Sequence, residues 1–120
     1  MAQGVPAVGV SGEDAALLSA EPIDLATMGR VGEPAETSVK LVRHLLSGGF
    51  LPVISPVARD ARSSSGDALN VNGDDAAAAI AAALHATELL LVADVPGVLE
   101  QGSVVGTLAA DRVPSLVAAG

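Results

Sequence analysis

Two short stretches hold the residue types that chemistry needs: LNVNGDD at residues 69–75 and ADVPGVL at residues 93–99. In the first, Asn70 and Asn72 offer side-chain amides, and Gly73 allows close backbone approach. Asp74 and Asp75 then open an Ala-rich run of high helix propensity. Amides beside the free N–H groups of a helix start suit an anion such as phosphate. Asp74 opposes an anion directly, so its part there is to hold a Lys or a metal that neutralises the phosphate. The same residues also read as an ordinary helix start, with Asn72 as N-cap and the two acids against the positive dipole end. In the second stretch an apolar run, ELLLVA, leads into Asp94-Val95-Pro96-Gly97. Asp94 sits where acidic residues after strands accept from a ribose hydroxyl. It also fits a plain tight turn.

The remaining candidates are weaker. Ser11 and Gly12 of SGED could approach a ligand, but a solvated loop is the simpler reading. Glu13 and Asp14 are neighbours on the chain and do not converge on one atom. His44 and His85 have no partners at metal-ligand spacing, so neither is assigned to catalysis and no metal site is assigned. No phosphate-binding GxxxxGK, GxSxG, or GxGxxG with a following acid is present.

These stretches must be positioned by alternating strands and helices. Residues 7–10 read as a strand, and Leu17 and Leu18 as part of a second short strand before Pro22. Residues 21–37 carry two Pro and two Gly without a period, and read as an excursion or hairpin. Val39, Val42 and Leu46, with Leu41 and Leu45, then mark an amphipathic helix, capped by Thr37 or Ser38 and stopped by Gly48-Gly49. Residues 50–55 read as a buried strand, 59–68 as a mobile loop or hairpin tip, and 74–84 as a helix ended by His85. Residues 88–93 read as a second buried strand and 110–119 as a last helix. PVIS and LLLVA do not alternate, which predicts an α/β fold with a mostly parallel sheet between helices. Ligands of such sheets bind outside the carboxyl ends of strands, where SGED, NVNGDD and DVPG fall.

Composition sets the outer bounds. The 120 residues suit one domain, and half of them are apolar. Phe50 is the only aromatic residue, so the core is built from Leu, Val, Ile and Ala. A net charge of −8 repels nucleic acid and anionic lipid, so neither is expected as a partner. No Cys is present, which excludes disulfides. The first residues lack the pattern of a signal peptide, and the longest apolar runs are too short to span a bilayer. A cytoplasmic protein is expected.

Taken in order, AVGVSGED, GRVGE, SVKLVRHLLSGGF, LPVISPVARD, LNVNGDDAAAAIAAAL and LLLVADVPGVL resemble the acetylglutamate kinase branch of the amino-acid kinase family. The resemblance runs along almost the whole chain but only the middle of the family. It implies that residues 1–120 form one partial domain, an incomplete three-layer α/β sandwich with a mostly parallel central sheet. It implies transfer of the γ-phosphoryl of ATP, with Mg2+, to the side-chain carboxylate of N-acetyl-L-glutamate in arginine biosynthesis, by a homodimer. By position, Asn70 resembles the residue that binds the acylated amino acid. Asp74 resembles the acid that organises two catalytic lysines. Asp94, Val95, Pro96, Gly97, Val98 and Leu99 resemble the segment that contacts ATP.

The departures set expectations too. The family's early Gly-rich segment with its Lys, and its later segment with a second Lys, have no counterpart in these residues. The only lysine, Lys40, lies on the amphipathic helix and fits neither role. Ala93 replaces a usual hydroxyl residue and Gly73 a usual Ala. The chain by itself is therefore expected to have little or no kinase activity. The alternatives are a related kinase acting on aminoadipate held by a carrier protein, the kinase-like domain of an acetylglutamate synthase, and a non-catalytic fragment that binds ligand or pairs with a full-length subunit.

Overall fold

A computed structural model describes residues 3–119. Their contacts gather into two compact units, one reaching Leu90 and one starting at Leu91.

In the first unit β1 (Ala7–Ser11) pairs in parallel with β4 (Leu51–Ser55), from Ala7 opposite Leu51 to Ser11 opposite Ser55. Parallel neighbours need a crossover. Here it contains β2 (Leu18–Pro22), β3 (Val31–Thr37) and α1 (Lys40–Ser47). The α/β class read from the sequence is what the structure shows, and β1 and β4 are parallel as expected.

The unexpected part is a small closed barrel. It is built from β2, β3, β5 (Val57–Asp60) and β6 (Ala68–Val71) in the order β2-β3-β6-β5. The hairpins β2–β3 and β5–β6 are antiparallel, while β2–β5 and β3–β6 are parallel. The two segments read as an excursion and a hairpin tip thus supply strands, and closure leaves this ring no open edge. Leu17, Leu18, Ala20, Ala58, Leu69 and Val71 fill its centre, joined by Val42 of α1 and Ala76 of the next helix. Without large aromatics such a core depends on close packing of small parts.

The amphipathic helix forms as its spacing predicts, with Val42 buried and Lys40 exposed. Its cap differs. Thr37 is the last residue of β3, the Ser38 N–H donates to the Leu17 carbonyl, and Val39 takes the cap position with no side-chain bond. The backbone of both residues is held against the start of β2, which moves the cap position on to Val39. The stop is as read: the Gly48 N–H donates to the His44 and Leu45 carbonyls, and Gly49 adopts φ +80°.

The serine-rich segment between β5 and β6 is a bonded hairpin tip. Asp67 accepts from the Ser63 and Ser65 hydroxyls at 2.8 Å each and faces Arg30 at 3.4 Å. The two hydroxyls, with the guanidinium adding to them, hold the Asp67 carboxyl below the usual carboxylate value.

Two strand readings need correction. Residues 88–93 are not a strand: Leu90 and Val92 are 81% and 97% exposed, and no described strand pairs with the segment. An apolar run becomes a buried strand only where a partner takes its N–H and C=O groups. The second correction is β4, which is not buried on both faces. Its residues alternate, with Ile54 half-buried against the core and Leu51 and Val53 exposed.

The second unit is small. β7 (Leu99–Glu100) and β8 (Ser103–Val104) form a hairpin through Gln101 and Gly102, both at positive φ, the geometry that favours a two-residue turn. Arg112 ties back to Glu100 at 2.9 Å, just before α3 (Val113–Ala119). No helix among the described residues is long and apolar enough to cross a membrane.

Candidate functional site

The end of β6 and the start of α2 (Gly73–Leu84) form one continuous turn of chain. Along β6 the side chains alternate. Leu69 and Val71 point into the barrel, which leaves Asn70 exposed outside it. The Asn70 backbone is fixed from both sides: Val31 of β3 and Val57 of β5 are its register partners, and its N–H donates to the Arg30 carbonyl at 2.8 Å. The next residue, Val71, donates to the Pro56 carbonyl at 2.9 Å.

Asn72 then leaves the strand with extended dihedrals and caps the helix. Its Oδ1 accepts from the Asp74 N–H at 2.9 Å and the Asp75 N–H at 3.2 Å. Of the two readings offered for Asn72, the structure shows the cap. Asp74 and Asp75 lie in the first turn, exposed, against the positive end of the helix dipole. Among the described residues neither carboxylate forms an ion pair. The other end is as read: His85 takes the left-handed conformation at φ 55°, and Arg43 of α1 donates to the Leu84 carbonyl at 3.1 Å. Asn72→Ala is expected to destabilise the first unit by about 1 kcal/mol, the usual worth of such a cap. Thermal unfolding followed by circular dichroism checks this, and an unchanged midpoint would show the cap bond to be idle.

The sequence-read site residues therefore divide. Asn70 lies on the last part of β6 and Asp74 in the first turn of α2, both exposed. Residues 94–99 belong to the second unit. They form an exposed bend, with Gly97 at φ +140° and Leu99 starting β7. Lys40 lies at the start of α1, exposed, without an ion pair among the described residues.

SGED is not the solvated loop expected of it. The Ser11 N–H donates to Asp14 Oδ2 at 2.7 Å, so Asp14 closes a turn. Gly12 is buried rather than solvated. The only signal in the sequence was a glycine directly after an apolar strand, which marks a close backbone approach as well as a loop.

Two hollows lie near these elements in the first unit. One, about 380 Å³, is an apolar groove along α2 beside Ile54, Ala77, Ile80 and Leu84. Gly73 at the start of α2 also lines it, with Glu88 the one charged residue. The other, about 430 Å³, lies by Ser19, Glu36, Arg59 and Asp60 of the barrel. Ser19 Oγ bonds the Glu36 backbone and Arg62 holds Glu21 at 2.7 Å, while Arg59 forms no ion pair among the described residues. Neither Asn70 nor Asp74 lines either hollow.

The fold is an α/β unit whose strand end and capped helix start display an amide, Asn70, and a carboxylate, Asp74. The chain belongs to the amino acid kinase family, whose model matches residues 1–117. It is 46% identical to an acetylglutamate kinase of Geobacillus stearothermophilus, over 95% of this chain and 43% of that protein. It is 43% identical to the acetylglutamate kinase of Rubrobacter xylanophilus, over 100% of this chain and 45% of that protein. A crystal structure of smu.665 from Streptococcus mutans UA159 superposes with TM-score 0.85 at 28% identity, covering 97% of this chain and 46% of that one. The chain thus spans less than half the length of the relatives it matches.

Proposed function

We propose that this chain carries the acceptor side of a phosphoryl-transfer site of the acetylglutamate kinase type. The observation that supports this most is the β6–α2 junction. It presents Asn70 and Asp74 outward on a fixed backbone, in a chain aligned over nearly its full length with proteins of that name. In this reading Asn70 bonds the acylated amino acid, N-acetyl-L-glutamate. Asp74 orients cationic groups toward the transferring phosphoryl. Residues 94–99 contact ATP, and their open, glycine-bearing bend fits close approach of a nucleotide. ATP arrives with Mg2+, which neutralises phosphate charge when bound. Transfer of this kind is mostly positioning and charge cancellation, and a fixed amide and carboxylate suit it. The same reading makes the protein a soluble cytoplasmic enzyme of arginine biosynthesis that acts as a homodimer.

Titration calorimetry with N-acetyl-L-glutamate tests the acceptor assignment. A hydrogen bond to a charged or strongly polar ligand is worth about 1.5–3 kcal/mol, so Asn70→Ala is expected to weaken binding by roughly tenfold or more. Equal affinity in both proteins, or no binding to the unsubstituted chain, overturns it. Tighter binding of N-acyl-aminoadipate than of N-acetylglutamate would instead select the aminoadipate relative.

A further inference from the structure

We propose that Gly12 is a positioning residue for the β6–α2 site, acting through the Ser55–Val57 link rather than touching a ligand. Three contacts place it there. The Gly12 N–H donates to the Ser55 carbonyl at 3.1 Å, where β4 ends. The Gly12 carbonyl accepts from the Leu18 N–H at 2.6 Å, where β2 begins. Its Cα faces the Val57 carbonyl so closely that a Cβ would stand 2.3 Å from that oxygen, and 2.8 Å from Leu18 Cδ1. Gly12 is therefore the point at which the β1–β4 pair meets the barrel.

The other side of the same link carries the site. Val57 is the register partner of Asn70, and the Pro56 carbonyl accepts from Val71, the residue before the Asn72 cap. A backbone carbonyl cannot swing aside as the end of a flexible side chain can. A methyl group at Gly12 must displace residues 55–57, and with them the strand register that sets Asn70 and the entry to α2. The contrast with Gly9 is informative: it lies on the same strand β1, and a Cβ there meets nothing within 4 Å. This assigns the SGED segment a role in positioning, and it rests on the reading of Asn70 and Asp74 as site residues.

The test compares Gly12→Ala with Gly9→Ala and with Val42→Ala, which loosens the core from α1. Backbone NMR of the full chain is expected to show large shifts at Val57, Asn70, Val71 and Asp74 in Gly12→Ala only. N-acetyl-L-glutamate affinity is expected to fall about tenfold or more in Gly12→Ala, since misplacement on the scale of 1 Å suffices for such losses. It should stay within about twofold in the other two, which leave the register intact. Unshifted Asn70 resonances, or equal affinity loss in Gly12→Ala and Val42→Ala, overturn the proposal. Failure of the unsubstituted chain to bind N-acetylglutamate sinks the functional reading, while the resonances still decide the positioning role. Should Gly12→Ala not fold, hydrogen exchange in the unsubstituted chain decides: the Leu18 and Val71 amides must open together, and independent opening overturns the coupling.

Discussion

Leu69→Ala is expected to lower the thermal midpoint of the first unit by roughly 15 °C, whereas Val92→Ala leaves it nearly unchanged. Leu69 is 1% exposed and lies in the barrel centre with Leu17, Leu18, Ala20, Ala58 and Val71. Truncating a buried Leu costs the transfer energy of its methyls plus a cavity term, together about 3 kcal/mol or more. The cavity term should be large here. The barrel is closed, and Gly32 already brings β3 so near that a Cβ there would lie 2.9 Å from Leu69 Cδ1. Closed strands cannot collapse freely into the space left behind. For a unit of this size each kcal/mol moves the midpoint by about 4–8 °C. Val92, 97% exposed, has little to lose, and such surface changes stay within about 0.5 kcal/mol. Differential scanning calorimetry of the two variants reads both numbers. Equal losses would mean that residues 88–93 are packed after all, and the reading of that segment as uncovered would fail.

That comparison also marks where the sequence was legible. Helix α2 could be read almost to the residue, because its signals are local: Asn72 bonds N–H groups two and three residues on, the acids meet the dipole, and His85 accepts left-handed dihedrals. Gly48-Gly49 was legible for the same reason. Strands depend on partners distant in the chain. ELLLVA and PVIS have the composition of covered strands, yet only PVIS has a neighbour, β1, and only one of its faces is covered. The barrel was hidden because its four strands are short, and their pairing joins residues such as Ser19 and Arg59 across forty positions. Asn70 and Asp74 were legible as chemistry, from residue type at a strand end and a helix start. Gly12 was not, since what distinguishes it is an oxygen of Val57 brought near by the fold.

The chain supplied with ATP, Mg2+ and N-acetyl-L-glutamate is expected to release ADP about 10⁴-fold or more slowly than a family-length acetylglutamate kinase. Phosphoryl transfer spreads negative charge over the moving group, and the protein's part is to meet that charge with fixed donors and cations. Each such group is worth about 10² to 10³ in rate. Two lysines, the number the resemblance implies, multiply to about 10⁴ or more. Three basic residues of the first unit are engaged elsewhere. Arg30 faces Asp67, Arg62 holds Glu21, and Arg43 caps the Leu84 carbonyl. Arg59 lies on β5 by the barrel hollow, opposite Ala68 in the register that pairs Val57 with Asn70. Lys40 stands on the exposed side of α1. The net charge of −8 adds a general repulsion of the nucleotide. On the proposed reading binding and turnover should separate: Asn70 holds N-acetylglutamate, while the one lysine of these 120 residues, Lys40, lies on α1. A coupled ADP-release assay beside the calorimetric titration reads the two together. Turnover near the rate of a family-length enzyme would show that charge is met by other groups, and the role given to Asp74 would fall with it.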